Sequence, residues 1–288
     1  MKREVCAVIV TYNRLELLKE CISKIISQTY KCDIFVINNN SHDGTEEFLK
    51  ANNISHFKTE KNQGGAGGFN LGIKICASLS YDYLWLMDDD CIARDDALEK
   101  LIISANKVDQ SFGFIASKVL WINGKDHKMN EIKHSVYYKD DLYFIKQATF
   151  VSLLIKTEIV KKYGLPIKDF FIWGDDIEYT RRIAVRNSIP SYYAKDSIVV
   201  HKTKNNVGSK IAFDDINNLH RYYYAYRNES YLYRQENIKG ILYYYLKCNY
   251  NILRIIIYSD NKKKRLRVML KGIKDGLTFN PKVEYINE

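Results

Sequence analysis

A chain of 288 residues with 46% hydrophobic and 27% charged residues has the balance of a folded globular protein, with room for one large domain or a domain with an appendage. Three prolines and the lack of any low-complexity tract exclude a long disordered linker. The net charge of +10, from 44 basic and 34 acidic residues, favours an anionic partner: a nucleotide, a phospholipid surface or nucleic acid.

In chain order, Cys6–Thr11 predicts a buried strand, reached directly from the N-terminus in the manner of a chain with no signal peptide. Leu15 to Ile26 has helical periodicity, with Asn13 as a candidate cap. Ile34–Ile37 is a second strand and exits into the polar run Asn38-Asn39-Asn40-Ser41-His42-Asp43-Gly44-Thr45, which leads to a helix over 46–51. A short strand around Phe57 precedes the glycine-rich stretch 62–68, read as a loop, and a helix over 69–79. The next strand ends at Asp88, and a helix follows near 96–105. Strands alternating with helices predict right-handed crossovers and a parallel sheet, with ligands at the strand exits.

Further on, 114–121 and 142–155 read as strand-forming and 157–163 as a short helix stopped by Gly164-Leu165-Pro166. Phe170–Trp173 runs into Gly174-Asp175-Asp176-Ile177-Glu178 and a helix through Arg186; Tyr192–Val200 is a strand closed by His201. From Leu219 the composition turns Tyr-rich, basic and helical, which places a domain boundary near residue 215, dividing residues 1–215 from 216–288. The most apolar tail segment, 241–258, is broken by Lys247, Asn249, Asn251 and Arg254 and reads as an amphipathic surface helix, not a span. None of the six cysteines forms a CxxC pair, so the chain reads as a reduced, cytosolic protein with structural thiols.

The most informative stretch is Trp85-Leu86-Met87-Asp88-Asp89-Asp90, a hydrophobic run ending in three carboxylates. Side by side they repel one another unless a positive charge intervenes, and a hard divalent cation prefers carboxylate oxygens. A helix cap or an acidic turn would also place aspartates there. Asp175, Asp176 and Glu178 open a helix, where the dipole favours them; behind an aromatic run such a carboxylate can also accept a proton from a hydroxyl. His201 could complete a mixed oxygen and imidazole site suited to Mn²⁺. Glycines near Gly64 and Gly65 let a backbone approach phosphate, but no P-loop or dinucleotide fingerprint is present. Paired carboxylates would also suit glycoside hydrolysis, which needs neither metal nor nucleotide loop. The charge alone would suit a non-enzymatic binder of nucleic acid or membrane.

Taken together, Val8-Ile9-Val10-Thr11-Tyr12-Asn13-Arg14, the loop from Asn38, Asn62-Gln63-Gly64-Gly65-Ala66-Gly67-Gly68-Phe69-Asn70, Trp85–Asp90 and Gly174–Glu178 resemble glycosyltransferase family 2, in order, from residue 5 to about residue 201. Within it, the Gly-Gly-Ala-Gly-Gly-Phe run with the triple Asp is most similar to galactofuranosyltransferases and the rhamnosyltransferases near them, and Arg221 to Asn228 resembles their C-terminal part. The resemblance implies the GT-A fold: a Rossmann-like, mixed and mainly parallel α/β sheet flanked by helices, here with a C-terminal helical extension. It implies inverting transfer from a nucleotide sugar, UDP-galactofuranose or dTDP-rhamnose, to a glycan or lipid-linked acceptor in bacterial surface polysaccharide synthesis. By position, Thr11, Asn13, Arg14, Asn38, Asn39, Gly64, Gly65, Asp88 and Asp89 would bind the nucleotide sugar, and Asp88, Asp90 and His201 would hold Mn²⁺ or Mg²⁺. Asp176 would be the general base, with Trp173, Asp175 and Glu178 at the acceptor. The tail would contact the acceptor, the inner face of the cell membrane or a second copy, and no nucleic acid partner is implied.

Overall fold

The computed structural model describes residues 4–206 and 208–286, so the leaderless reading of Met1 to Arg3 lies outside the described residues. Strand β1 (Val5–Thr11) is buried along its whole length at the centre of a parallel group. β2 (Asp33–Asn38) and β4 (Tyr83–Asp88) flank it, and β3 (Ser55–Lys58) lies outside β2. Side chains alternate across the sheet, as strand geometry requires. Val5, Ala7 and Ile9 join one core with helices α1 (Leu15–Ile26) and α4 (Ala97–Lys107). Cys6, Val8 and Val10 join the other with α3 (Gly64–Ser78) and α5 (Thr157–Tyr163). A short α2 (Thr45–Ala51) links β2 to β3.

The second half of the sheet departs from the parallel expectation. β6 (Phe114–Leu120) and β10 (Tyr192–His201) are parallel, but β9 (Leu153–Lys156) runs antiparallel between β4 and β6. Two strands that the sequence pattern did not separate, β5 (Cys91–Ala93) and β7 (Ser135–Lys139), pair antiparallel with β10 and with β8 (Leu142–Ile145). The sheet is therefore mixed, as the family resemblance implied, with ten strands among the described residues.

Two local expectations change. The glycine-rich stretch is not a loop before a helix: α3 begins at Gly64. Glycine serves close helix–sheet packing there, since a Cβ at Gly68 would sit 2.5 Å from Val10 Cγ1. Nor does Asn13 cap α1. Its Oδ1 accepts from the His42 backbone N–H (2.8 Å), while Asp43 Oδ2 accepts from the Leu15 N–H (2.9 Å).

The helical C-terminal part consists of α7 (Leu219–Arg234), α8 (Ile238–Tyr258) and α9 (Lys262–Thr278), packed around Tyr222, Tyr226, Tyr244, Cys248, Ile255 and Met269. Trp173 packs against this cluster. The six cysteines are buried. Among the described residues no helix is long and apolar enough to cross a membrane.

Candidate active site

The parallel strands end in register. Thr11 pairs with Asn38, and Val10 with Asp88, so the three polar strand ends lie along one edge of the sheet. β5 then pairs His201 with Cys91, which sets the imidazole beside the adjacent Asp90. One oxygen each from Asp88 and Asp90 and one nitrogen of His201 lie within 4.8 Å of one another, with Asp90 and His201 buried.

His201 Nε2 is 3.0 Å from Asp90 Oδ1, and its Nδ1 is 2.8 Å from Asn130 Oδ1. The amide oxygen can only accept, so Nδ1 carries a proton and a neutral ring would aim the Nε2 lone pair at a carboxylate. A cation must stand between them: a second proton, or a metal. Burial works against the imidazolium, yet the hydrogen bond and charge of Asp90 hold His201 above its ordinary pKa. Burial also resists ionisation of Asp90, but His201 and then Arg14 keep it below the usual carboxylate value. Burial, followed by the Asp90 charge, pushes Asp88 up to about 7. Nearby His127, ring centroid 4.6 Å from that of His201, is brought down to about 4 by burial and then by His201, and so stays neutral. This oxygen–oxygen–nitrogen donor set, with excess negative charge, fits a divalent cation. Sequence reasoning missed Asn130, which comes from an irregular stretch with no motif.

The Asn130 hydrogen bond carries a prediction. It orients the ring and fixes its tautomer, so Asn130→Ala weakens Mn²⁺ binding by roughly 10- to 100-fold while the melting temperature stays close to wild type. Metal binding must also displace the His201 proton. Calorimetric Mn²⁺ affinity therefore tightens as pH rises through and beyond the ordinary histidine range, because the folded-state pKa is raised.

Asp88, Asp90 and His201 line a cavity of about 660 Å³ together with Arg14, Gly65, Trp173, Asp175 and Asp176. Asp176 Oδ1 accepts from the Ile177 N–H at the start of α6 (Asp175–Arg181). Burial pushes Asp176 up to about 7, against that hydrogen bond, and raises Asp175 well above the usual range, with the Asp176 charge adding to it. Two buried carboxyl groups, both harder to ionise than usual, share one cavity with the Asp88, Asp90 and His201 donor set.

The segment ahead of Asp175 is strained. Phe171 and Trp173 have φ of +64°, which bulky residues rarely adopt, and Gly174 follows at +92°. It is held from two sides. Asn228 of α7 donates to the carbonyls of Phe170 (3.0 Å), Ile172 (3.1 Å) and Trp173 (2.8 Å). The Ala66 N–H of α3 donates to the Phe171 carbonyl (3.1 Å). Gly64, at φ +72°, lies so close that a Cβ would come 1.9 Å from that same carbonyl oxygen. Gly64→Ala therefore costs about 3 kcal/mol through overpacking and left-handed strain, read as a lower denaturation midpoint, and displaces the Asp175–Asp176 turn.

Several expected site residues stand behind the cavity. Thr11 donates to Asp89 Oδ2 (2.8 Å), and Arg14 Nη1 pairs with Asp89 (3.3 Å) and Asp90 (2.8 Å). Asp89 is buried, raised to about 6 by burial against the pull of Arg14, and serves to position Arg14 and Thr11, not to line the cavity. Asn39 uses its amide on the chain itself, donating to Asn62 Oδ1 and the Gly64 carbonyl and accepting from the Gln63 N–H. Asn38 Oδ1 accepts from the Ser41 N–H, while its Nδ2 is buried without a protein partner. Glu178 is the clear correction: it is fully buried, bonded to Arg182 (2.9 Å) and Arg186, and turned away from the cavity. Asp175 and Glu178 lie one helical turn apart on the same side of α6, and local sequence does not say which of the two reaches the cavity and which enters the core.

A nucleotide-binding sheet edge, an acidic cation site and a facing carboxylate pair are features of a GT-A glycosyltransferase. The model of glycosyl transferase family 2 matches residues 6–163, and the chain belongs to that family. It is similar to galactofuranosyltransferase GlfT1 of Mycolicibacterium smegmatis, with 24% identity over 260 residues, 83% of this chain and 85% of the relative. Among solved structures, residues 1–349 of S. aureus TarS in complex with UDP align with a TM-score of 0.55 at 12% identity, covering 96% of this chain and 72% of that one. The mannosyltransferase PcManGT from Pyrobaculum calidifontis, in complex with GDP-Man and Mn²⁺, aligns with a TM-score of 0.57 at 14% identity, covering 97% and 76%. The protein is a glycosyltransferase of the GT-A fold.

Proposed function

We propose that this enzyme transfers a sugar, with inversion, from a nucleoside diphosphate donor to a hydroxyl of a glycan or lipid-linked glycan, in the synthesis of a bacterial surface polysaccharide. UDP-galactofuranose is the preferred donor, supported by the similarity to galactofuranosyltransferase GlfT1 over most of both chains; dTDP-rhamnose is the second reading. The observation that carries the reaction is one cavity holding Asp88, Asp90 and His201 together with Asp175 and Asp176.

Asp88, Asp90 and His201 would hold Mn²⁺ or Mg²⁺, which when bound offsets the negative charge that develops on the departing diphosphate. Arg14, anchored by Asp89 and Asp90, adds a fixed positive charge at the same end of the cavity. Thr11, Asn13 and Asn38 would serve the nucleoside end from the strand ends behind the cavity, and the buried, unpartnered Asn38 Nδ2 would gain a partner if a base carbonyl reached it. Gly65, which nothing crowds within 4 Å of a Cβ position, leaves room for the donor at the start of α3. At the other end Trp173 offers an apolar face to a sugar ring and Asp175 a hydrogen-bonding carboxyl. Asp176 takes the proton from the acceptor hydroxyl. That oxygen attacks the anomeric carbon from the side opposite the diphosphate, whose bond to the sugar breaks in the same displacement, so configuration inverts.

The test is nucleotide release from UDP-galactofuranose and from dTDP-rhamnose with Mn²⁺, with and without EDTA, followed by NMR of the linkage formed on an acceptor. Release of UDP that EDTA abolishes supports the first reading, and release from dTDP-rhamnose the second. Failure to bind or turn over any nucleotide sugar overturns both.

A further inference from the structure

Helix α8 is apolar on two faces, and only one is covered. Tyr244, Cys248 and Ile255 pack inward. On the opposite side Leu242, Leu246, Tyr250, Leu253, Ile256 and Ile257 are 48% to 62% exposed. At 3.6 residues per turn these six share one side of the helix, interrupted only by the exposed Asn249, whose amide donates to the Tyr245 carbonyl. Contiguous exposed apolar surface of this kind marks an interaction site. The polar positions Lys247 and Asn251 fall on the other side and line the active-site cavity.

Charge identifies the occupant. From Ile238 to Thr278 the chain carries ten basic side chains against two acidic ones. Both acids are engaged: Asp260 pairs with Arg265, and Asp275 accepts from Tyr223. Lys262, Lys263, Lys264, Arg267, Lys271 and Lys274 of α9 are all exposed, and none has an ion-pair partner among the described residues. The lysine run starts four residues beyond Tyr258, at the end of the apolar stripe, and α9 packs against both α7 and α8. A second copy seated on this stripe would bring two such cationic segments together. A surface that is apolar in its interior and anionic at its boundary meets both features.

We propose that α8 lies flat on an anionic lipid bilayer, with its apolar stripe among the acyl chains and the α9 cations at the headgroups. The far side of α8 forms a wall of the cavity, so docking places the site about one helix diameter, roughly 10 Å, from the lipid. A lipid-linked acceptor would then reach it without leaving the membrane; that last step rests on the function proposed above, whereas the docking does not.

Vesicle flotation tests it without any sugar. The full chain is mixed with phosphatidylcholine vesicles, or with vesicles containing roughly one-third phosphatidylglycerol, at low and high salt. Wild type floats with the anionic vesicles and not with the neutral ones. Leu246→Glu combined with Leu253→Glu lowers partitioning at least about tenfold at any salt. Lys263→Glu with Lys264→Glu lowers it at least about tenfold at low salt and little at high salt. Both substituted pairs are exposed and none of the four residues lines the cavity, so donor hydrolysis without vesicles stays at the wild-type rate. Wild type that stays in solution with anionic vesicles overturns the proposal. So does flotation indifferent to both pairs, or a dimer by light scattering that Leu246→Glu with Leu253→Glu dissolves. Should the Glu pair fail to fold, Leu246→Ser with Leu253→Ser, or the lysine pair alone, replaces it: lost flotation supports the docking, and undiminished flotation overturns it.

Discussion

Asp176→Asn lowers transfer by roughly 10³-fold or more and leaves donor affinity within about threefold of wild type, because a positioned base acts in the transition state and contributes little to ground-state binding. The pH profile gives a second reading. Burial raises Asp176 to about 7, so its base form is the one present above that pH. The kcat/KM of the wild type falls as pH drops through this range. Stability runs the other way. A carboxyl with its folded pKa above its unfolded value binds its proton more tightly when folded, so its contribution to stability is lost as pH rises from about 4 to about 7. Asp176→Asn removes a buried charge at neutral pH, and the variant melts above wild type there while turning over far more slowly. A variant with near-normal turnover at pH 7 would remove Asp176 from the base role.

Asp90→Asn is the second large effect. Asp90 is bonded to Arg14 and faces His201, and its backbone carbonyl accepts from the Lys202 N–H. The amide keeps the shape of the side chain but removes its charge. Metal-dependent turnover falls by roughly 10²- to 10³-fold, the scale on which one preorganised electrostatic group acts. The loss is partly recovered at high Mn²⁺, because the site is weakened and not filled in. It also leaves His201 without the charge that raises its pKa, so the imidazole titrates at a lower pH by NMR. A purely structural role for Asp90 predicts a lower melting temperature with activity falling only as far as the folded fraction does.

The parts of this site that were legible in the sequence are those where chemistry and secondary structure meet within a few residues. A buried strand that stops at Asp88, Asp89 and Asp90 announces itself, because hydrophobic periodicity and charge change at one point. Asp175 and Asp176 behind an aromatic run are readable for the same reason. What a single strand end does not reveal is how three adjacent carboxylates divide their work. Here Asp88 and Asp90 face the cavity, while Asp89 points back to Thr11 and Arg14. The glycines from Gly64 to Gly68 read as a loop because their low helix propensity outweighs a packing demand that appears only once β1 lies beneath them. Glu178 failed because propensity at a helix start explains acidic residues without naming the face that will be buried.

The long-range contacts were not legible, although Asn228 closes the Arg221 to Asn228 segment whose resemblance the sequence did show. Asn130 reaches His201 across 71 residues, and Asn228 reaches the Trp173 carbonyl across 55. Neither belongs to a periodic pattern or a charged cluster. Both act by satisfying polar groups that the local chain leaves unpaired. Asn228 also ties the helical C-terminal segment to the candidate site, since the strained Phe171–Trp173 backbone is held in part by α7.

We propose that Asp88, Asp90 and His201 hold a cation against which a nucleoside diphosphate binds, facing Asp176. Anomalous diffraction from a crystal soaked with Mn²⁺ and UDP tests it most directly. One manganese peak is expected among those three side chains, touching the diphosphate, with the uracil beside Asn38. A diphosphate bound elsewhere, or a cavity that stays free of both manganese and UDP at saturating concentrations, would contradict it.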